Sequence, residues 1–148
     1  MPIGEFELIA RFFREPRPAL AVPRDDVVLG IGDDAAVLAM PQGQELVAAL
    51  DTMVEGRHFP VGAPADSIGH RALAVNLSDL AAMGAMPAWF LLGLTLPRAD
   101  ESFLESFARG MFTLASEHGI ALVGGDTTGG PLAMSVQVLG TVPAGQAL

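Results

Sequence analysis

The amino-acid sequence predicts an α+β domain, a mixed β-sheet carrying its helices on one face. Three observations predict it. Segments of helical and strand periodicity follow one another as helix, strands, helix, strand, helix, strand, strand. Residues 88–96 and 132–142 read as uniformly apolar strands, too apolar to leave one face in water. Glycine-aspartate pairs punctuate the apolar runs, which marks connections and not repeats.

The elements follow in chain order. Phe6, Ile9, Phe12 and Phe13 recur at helical spacing, with Glu5 early and Arg14 late, and Glu15-Pro-Arg-Pro18 stops this first helix. It reads as packing. Pro23-Arg-Asp-Asp26 is a turn whose Asp25 and Asp26 are expected in solvent, and Val27–Leu29 enters a Gly30-Ile-Gly-Asp-Asp34 turn. Residues 35–40 and 45–52 are expected to form a hairpin through Pro41–Gln44. A loop holding Arg57 and His58 follows; a plain surface loop and an anion-binding loop fit it equally. Asp66 is placed as the cap of a central helix that runs to Gly84 and is apolar on nearly all sides. Asp100 caps a helix from Glu101 to Glu117, with Phe103, Leu104, Phe107, Met111, Leu114 and Ala115 inward, a Glu105–Arg109 pair outward, and Gly119 ending it. Residues 120–124 form a short strand into a Gly-Gly-Asp turn, and 132–142 the last strand. The uniformly apolar strands call for a second layer, supplied by a partner subunit or another domain, and so for a dimer.

Charge narrows the function. The chain has eight arginines, no lysine and a net charge of −9. A basic nucleic-acid face is excluded, as are a P-loop, a kinase-type strand lysine and a Schiff base. With no cysteine there is no thiolate zinc site and no cysteine nucleophile. No run approaches the roughly 18 apolar residues of a membrane span, and the acidic start lacks the basic flank of a signal peptide. These features suit a cytoplasmic protein without membrane partners.

Against that background the aspartates stand out. Asp33 and Asp34 sit in a glycine turn, Asp51 and Asp126 close apolar strands, and Asp79 lies on the apolar central helix, three residues after Asn76 and on the same face. None has a basic neighbour in sequence. A lone Asp79 would be read as an acceptor for a nearby loop. Five such carboxylates fit hard divalent cations that keep water or phosphate in their remaining positions.

Taken together, Gly30-Ile-Gly-Asp-Asp34, Asp51-Thr-Met-Val-Glu-Gly-Arg-His-Phe59, Ala74-Val-Asn-Leu-Ser-Asp-Leu-Ala-Ala-Met-Gly84 and Gly124-Gly-Asp-Thr-Thr128 closely resemble the thiamine-monophosphate kinase family, of the superfamily that includes aminoimidazole ribonucleotide synthetase and selenophosphate synthetase. The resemblance runs from Gly4 to the last residue. It implies the N-terminal, ATP- and Mg²⁺-binding domain of an enzyme of the aminoimidazole ribonucleotide synthetase-like fold. That enzyme transfers the γ-phosphate of ATP to thiamine monophosphate and forms a homodimer through its N-terminal sheets. It further implies that Asp34, Asp51, Asp79 and Asp126, with Asp33, hold several Mg²⁺ ions, that Gly125 and Asp126 lie against the nucleotide, and that His58 contacts thiamine monophosphate. Direct in-line transfer follows from the absence of a convincing nucleophile, since such transfer asks for positioning and charge neutralisation above all.

Departures and rivals sharpen this. Ala49 and Leu50 stand before Asp51 where relatives often carry hydroxyl residues, and Gly129 stands where an arginine is common. The family's second domain is absent from residues 1–148, so this stretch alone is expected to be inactive or nearly so. Another ATP-dependent enzyme of the superfamily is disfavoured by the Asp51–Phe59 block and by the missing cysteine-lysine pair of selenophosphate synthetases. A non-catalytic metal-binding dimerisation domain would need no carboxylates in four separate places.

Overall fold

The computed structural model describes residues 4–14 and 21–148. The predicted stop at Glu15–Pro18 lies outside the described residues. Helix α1 (Glu5–Ile9), in which Leu8 is buried, continues as a π-helical segment, Ala10–Arg14, that buries Phe12 and Phe13. Strands β1 (Val27–Leu29) and β2 (Val37–Leu38) form a two-stranded sheet around the Gly30–Ala36 loop. The main sheet holds β3 (Gln44–Val54), β4 (Met86–Leu96), β5 (Ala121–Gly129) and β6 (Ala133–Pro143) in the spatial order β3-β6-β4-β5. Pairs β3–β6 and β6–β4 are antiparallel and β4–β5 is parallel, so the sheet is mixed, as predicted.

Helices α2 (Ala65–Ala82) and α3 (Glu101–His118) pack on each other and on one sheet face. Their backbones nearly touch: a β-carbon at Gly69 would collide with the Phe107 carbonyl, and one at Gly110 with that of Asp66. Those two contacts make the helices antiparallel, so the start of α3 leaves the last turn of α2 uncovered. Helix α2 is packed on more than one face, as its apolar sequence predicts, but not along this last turn. Ile68, Ala72, Leu73, Asn76 and Leu80 are buried, but Ala81, Ala82 and Met83 are exposed. Leu92, Leu94, Val136 and Val138 close the core beneath.

Several local readings change. The 35–40/45–52 hairpin does not form: β2 pairs with β1, and β3 pairs along its whole length with β6, from Gln44 opposite Pro143 to Val54 opposite Ala133. Eleven registered residues outcompete a two-residue partner. Gly124, Gly125 and Asp126 are strand residues of β5, not a turn, because β4 runs so close that a side chain at Gly125 would strike the Leu92 carbonyl. Asp66 lies in the first turn of α2 and accepts from its neighbour Ser67 N at 2.9 Å; the cap position belongs to Pro64. Asp100 caps α3 as expected, accepting from Phe103 N at 3.2 Å, and Gly119 ends it in a left-handed conformation. Inward residues of α3 include Ala108 and Phe112 beyond those predicted, and Phe103 is half-buried.

Asp26 is not solvated, in contrast to the exposed Asp25. Its carboxylate accepts from Arg24 Nε and Nη2 at 2.9 and 2.7 Å and from Trp89 Nε1 at 3.0 Å, while Arg24 Nη1 donates to the Gly119 carbonyl at 2.9 Å. This network ties the β1 entry to β4 and to the end of α3. Here β1, β2 and the preceding Val22 cover Trp89, Ala121 and Val123, so part of the predicted second layer is the chain's own. The hydrogen bonds from Arg24, aided by that from Trp89, hold the Asp26 carboxyl below its ordinary range. A lowered folded pKa contributes stability above the unfolded value, near pH 4, that is lost as pH falls through the folded one. Asp26→Asn should therefore lower stability by about 2 kcal/mol at pH 7, a deficit that shrinks below pH 4 in urea denaturation curves.

Candidate functional site

Asp51 and Asp79 meet where β3 passes the uncovered end of α2. Their carboxyls lie within hydrogen-bonding reach of each other. Asp51 is inside β3, not at its end, because Thr52, Met53 and Val54 continue the ladder against Ser135, Met134 and Ala133. Partial loss of hydration, then the adjoining Asp79 carboxyl, push the Asp51 carboxyl above its usual range, and nearby His58 opposes them. His58 comes from the loop after β3. Its Nδ1 accepts from Val54 N at 2.9 Å, and Arg71 of α2 pins the loop by donating to the His58 carbonyl at 2.6 Å. Asp51, Asp79 and His58 are thus brought together.

The remaining acids gather elsewhere. A cavity of about 320 Å³ between the first helix, the Gly30–Ala36 loop and β5 is lined by Asp33, Asp34, Gly125 and Asp126, with Phe13 and Leu122 as apolar wall. Asp33 uses one carboxylate oxygen to accept from Asp34 N at 2.8 Å, which sets the turn. Asp126 also borders a second, shallower cavity of about 130 Å³ with Gly93, Thr95, Thr128 and Ser135.

Register fixes the separation of the two groups. Asp51 stands in one row with Val136, Leu92 and Gly125, three strand spacings across, or about 14 Å. The next row is Thr52, Ser135, Gly93 and Asp126, with Thr52 Oγ1 and Ser135 Oγ 2.7 Å apart. Among the described residues no three carboxylate or imidazole groups are arranged to hold one metal ion. The donor chemistry still fits a hard divalent cation at Asp51–Asp79, since the Asp51 carboxyl has lost part of its hydration and lies beside a second carboxyl, a setting that favours a proton or a cation on it.

Residues 32–142 match the family described as AIR synthase related protein, N-terminal domain. The chain belongs to that family. Thiamine-monophosphate kinase of Escherichia coli K12 is 54% identical over 149 residues, covering 100% of this chain and 44% of that protein. The crystal structure of thiamine-monophosphate kinase from Stenotrophomonas maltophilia K279a superimposes with a TM-score of 0.84 at 53% identity, over 100% of this chain and 45% of that one. A structure of AaThiL complexed with AMPPCP and TMP does so with a TM-score of 0.67 at 28% identity, over 71% of this chain and 35% of that one. The chain thus spans under half the length of these relatives. No helix among the described residues is long and apolar enough to cross a membrane.

Within this AIR synthase related domain the sequence reading missed the hydroxyl row. Ser135 was legible, because Ser135 and Gln137 alternate with the apolar Met134, Val136 and Val138 in a stretch read as uniformly apolar. Arg71 carried no sequence signal, since its partner is a backbone carbonyl thirteen residues away.

The acidic pair has a measurable signature. A raised folded pKa makes the carboxyl's favourable contribution complete below about pH 4, and it is lost as pH rises through the folded value. In EDTA, Asp79→Asn should raise the melting temperature at pH 7 and should leave it unchanged at pH 3.5, a difference readable by scanning calorimetry.

Proposed function

We propose that this domain is the nucleotide- and metal-binding part of a thiamine-monophosphate kinase, moving the γ-phosphate of ATP directly to thiamine monophosphate to give thiamine diphosphate. The observation that carries the proposal is the cavity gathering Asp33, Asp34, Gly125 and Asp126 beside a separate acidic pair. It is supported by the names of the similar proteins and by the AMPPCP and TMP held by one of them.

In this reading Gly125 and Asp126 lie against the nucleotide, and Asp34, Asp51, Asp79 and Asp126, with Asp33, hold several Mg²⁺ ions. Bound Mg²⁺ would neutralise the phosphates and keep donor and acceptor in line. The chain's own residues do the rest. The Asp33 hydrogen bond holds the acidic turn against the cavity, and β4 and β5 set Asp126 at its mouth. The Val54 bond to Nδ1 leaves His58 Nε2 to carry the proton and donate outward, toward thiamine monophosphate. A protein of net charge −9 without lysine has little side-chain charge of its own to set against a triphosphate.

The same proposal makes the enzyme a cytoplasmic homodimer paired through the open sheet face. Leu46 and Leu50 of β3 are 51% and 62% exposed there, unlike the covered end under β1 and β2. Leu50→Arg should shift the assembly from dimer to monomer in light scattering; an unchanged mass would remove the sheet from the interface.

The test of function is Mg²⁺- and ATP-dependent formation of thiamine diphosphate, on residues 1–148 and on the chain continued past Leu148. We expect turnover in the longer chain alone, and a drop of at least about 100-fold in kcat for Asp51→Asn or Asp126→Asn, as for loss of a group that stabilises transition-state charge. A folded longer chain that phosphorylates some other acceptor, and not thiamine monophosphate, would replace this reading with another enzyme of the superfamily.

A further inference from the structure

The cavity beside β5 contains a cation that the acidic residues do not account for. Among the described residues its lining has three carboxylates, Asp33, Asp34 and Asp126, and one positive side chain, Arg14 from the end of the first helix. The guanidinium rests against the acidic turn. A β-carbon at Gly32 would stand 3.1 Å from Arg14 Cζ, 3.1 Å from Nη1 and 3.4 Å from Nη2. The carbon is as near as the nitrogens, so the flat side of the group faces the glycine and its N–H edges are turned elsewhere. Gly32 also has φ +113°, a conformation L side chains rarely adopt, so glycine serves both the turn and the approach of Arg14.

No salt bridge joins Arg14 to a carboxylate of the cavity among the described residues. Arg11, Arg24 and Arg98 have acidic partners among the described residues, and none of these three lines the cavity. A guanidinium seated in an acidic cavity, yet not paired with those acids, has its in-plane donors available to an incoming anion.

We propose that Arg14 pairs with a phosphate of the bound nucleotide. The inference rests on the nucleotide reading of this cavity. A polyphosphate entering it meets three carboxylates, and the chain has no lysine to offset them. Arginine suits the role because its parallel N–H groups match two phosphate oxygens and its charge does not titrate. First-helix residues read from sequence as packing then divide: Phe12 and Phe13 anchor the segment, and the exposed Arg14 that follows serves the ligand.

The experiment compares wild type, Arg14→Gln and Arg14→Lys in the full-length chain by calorimetric titration with adenosine and with AMPPCP, both in Mg²⁺. Arg14→Gln should weaken AMPPCP by about tenfold or more, as loss of a charge-assisted hydrogen bond does, and leave adenosine unchanged. Arg14→Lys should recover part of the loss. AMPPCP affinity within twofold of wild type in Arg14→Gln would overturn the role of Arg14 and leave the nucleotide reading standing. Equal weakening of adenosine and AMPPCP would also overturn it, marking a structural side chain. Failure of wild type to bind AMPPCP would remove the nucleotide reading, and this inference with it.

Discussion

The antiparallel register of β6 with both of its neighbours is the constraint on which the placement of the acidic groups depends. Because β6 pairs with β3 on one side and β4 on the other, Asp51 falls in the row of Val136 and Leu92, and Asp126 in the row of Ser135 and Gly93. A slip of one residue along β3 would turn Asp51 away from Asp79 and bring Leu50 against the helices. The same register carries the core, since Val136, Val138 and Met134 are buried while the alternate residues reach the other face. Packing and charge placement are therefore one specification. That is why carboxylates can be held so near each other without a basic residue to fix them.

The second constraint is the relative position of the two long helices. Glycines at 69 and 110 let α2 and α3 approach backbone to backbone, which sets where along α2 the cover of α3 gives out. Asp79 is exposed beyond that point, whereas Asn76, one turn earlier on the same face, is fully buried. An alanine at either glycine would force the helices apart and move the Asp79 carboxyl relative to β3, so two residues without side chains tune an electrostatic contact.

What could be read from the sequence divides by range. The cap at Asp100, the left-handed end at Gly119, the apolar stripe of α3 and the mixed sheet depend on patterns contained within each segment, and they were legible. The hairpin error and the Arg24–Asp26–Trp89 network depend on partners about 60 to 100 residues apart, which no local period encodes. The reading of Gly124-Gly-Asp126 as a turn failed for a related reason. Glycine permits a turn and also permits close approach of a neighbouring strand, and only the neighbour decides. All five candidate aspartates were visible as carboxylates without local cations, but their division into two groups is a property of the sheet.

Asn76 shows what the arrangement costs. Its Nδ2 donates to the Ala72 carbonyl at 2.9 Å, while its Oδ1 is buried without a partner among the described residues. An unsatisfied buried acceptor costs on the order of 1–3 kcal/mol. One turn further along α2, the Asp51–Asp79 contact adds repulsion that rises as the pair ionises. Both penalties fall on the stretch of helix that faces the acidic site, whereas the helix–sheet core beneath it is apolar and closely packed. A core residue replaced by polar chemistry without a partner is hard to explain by stability. A cation between the two carboxyls, as in the function proposed above, would reverse the sign of that contact.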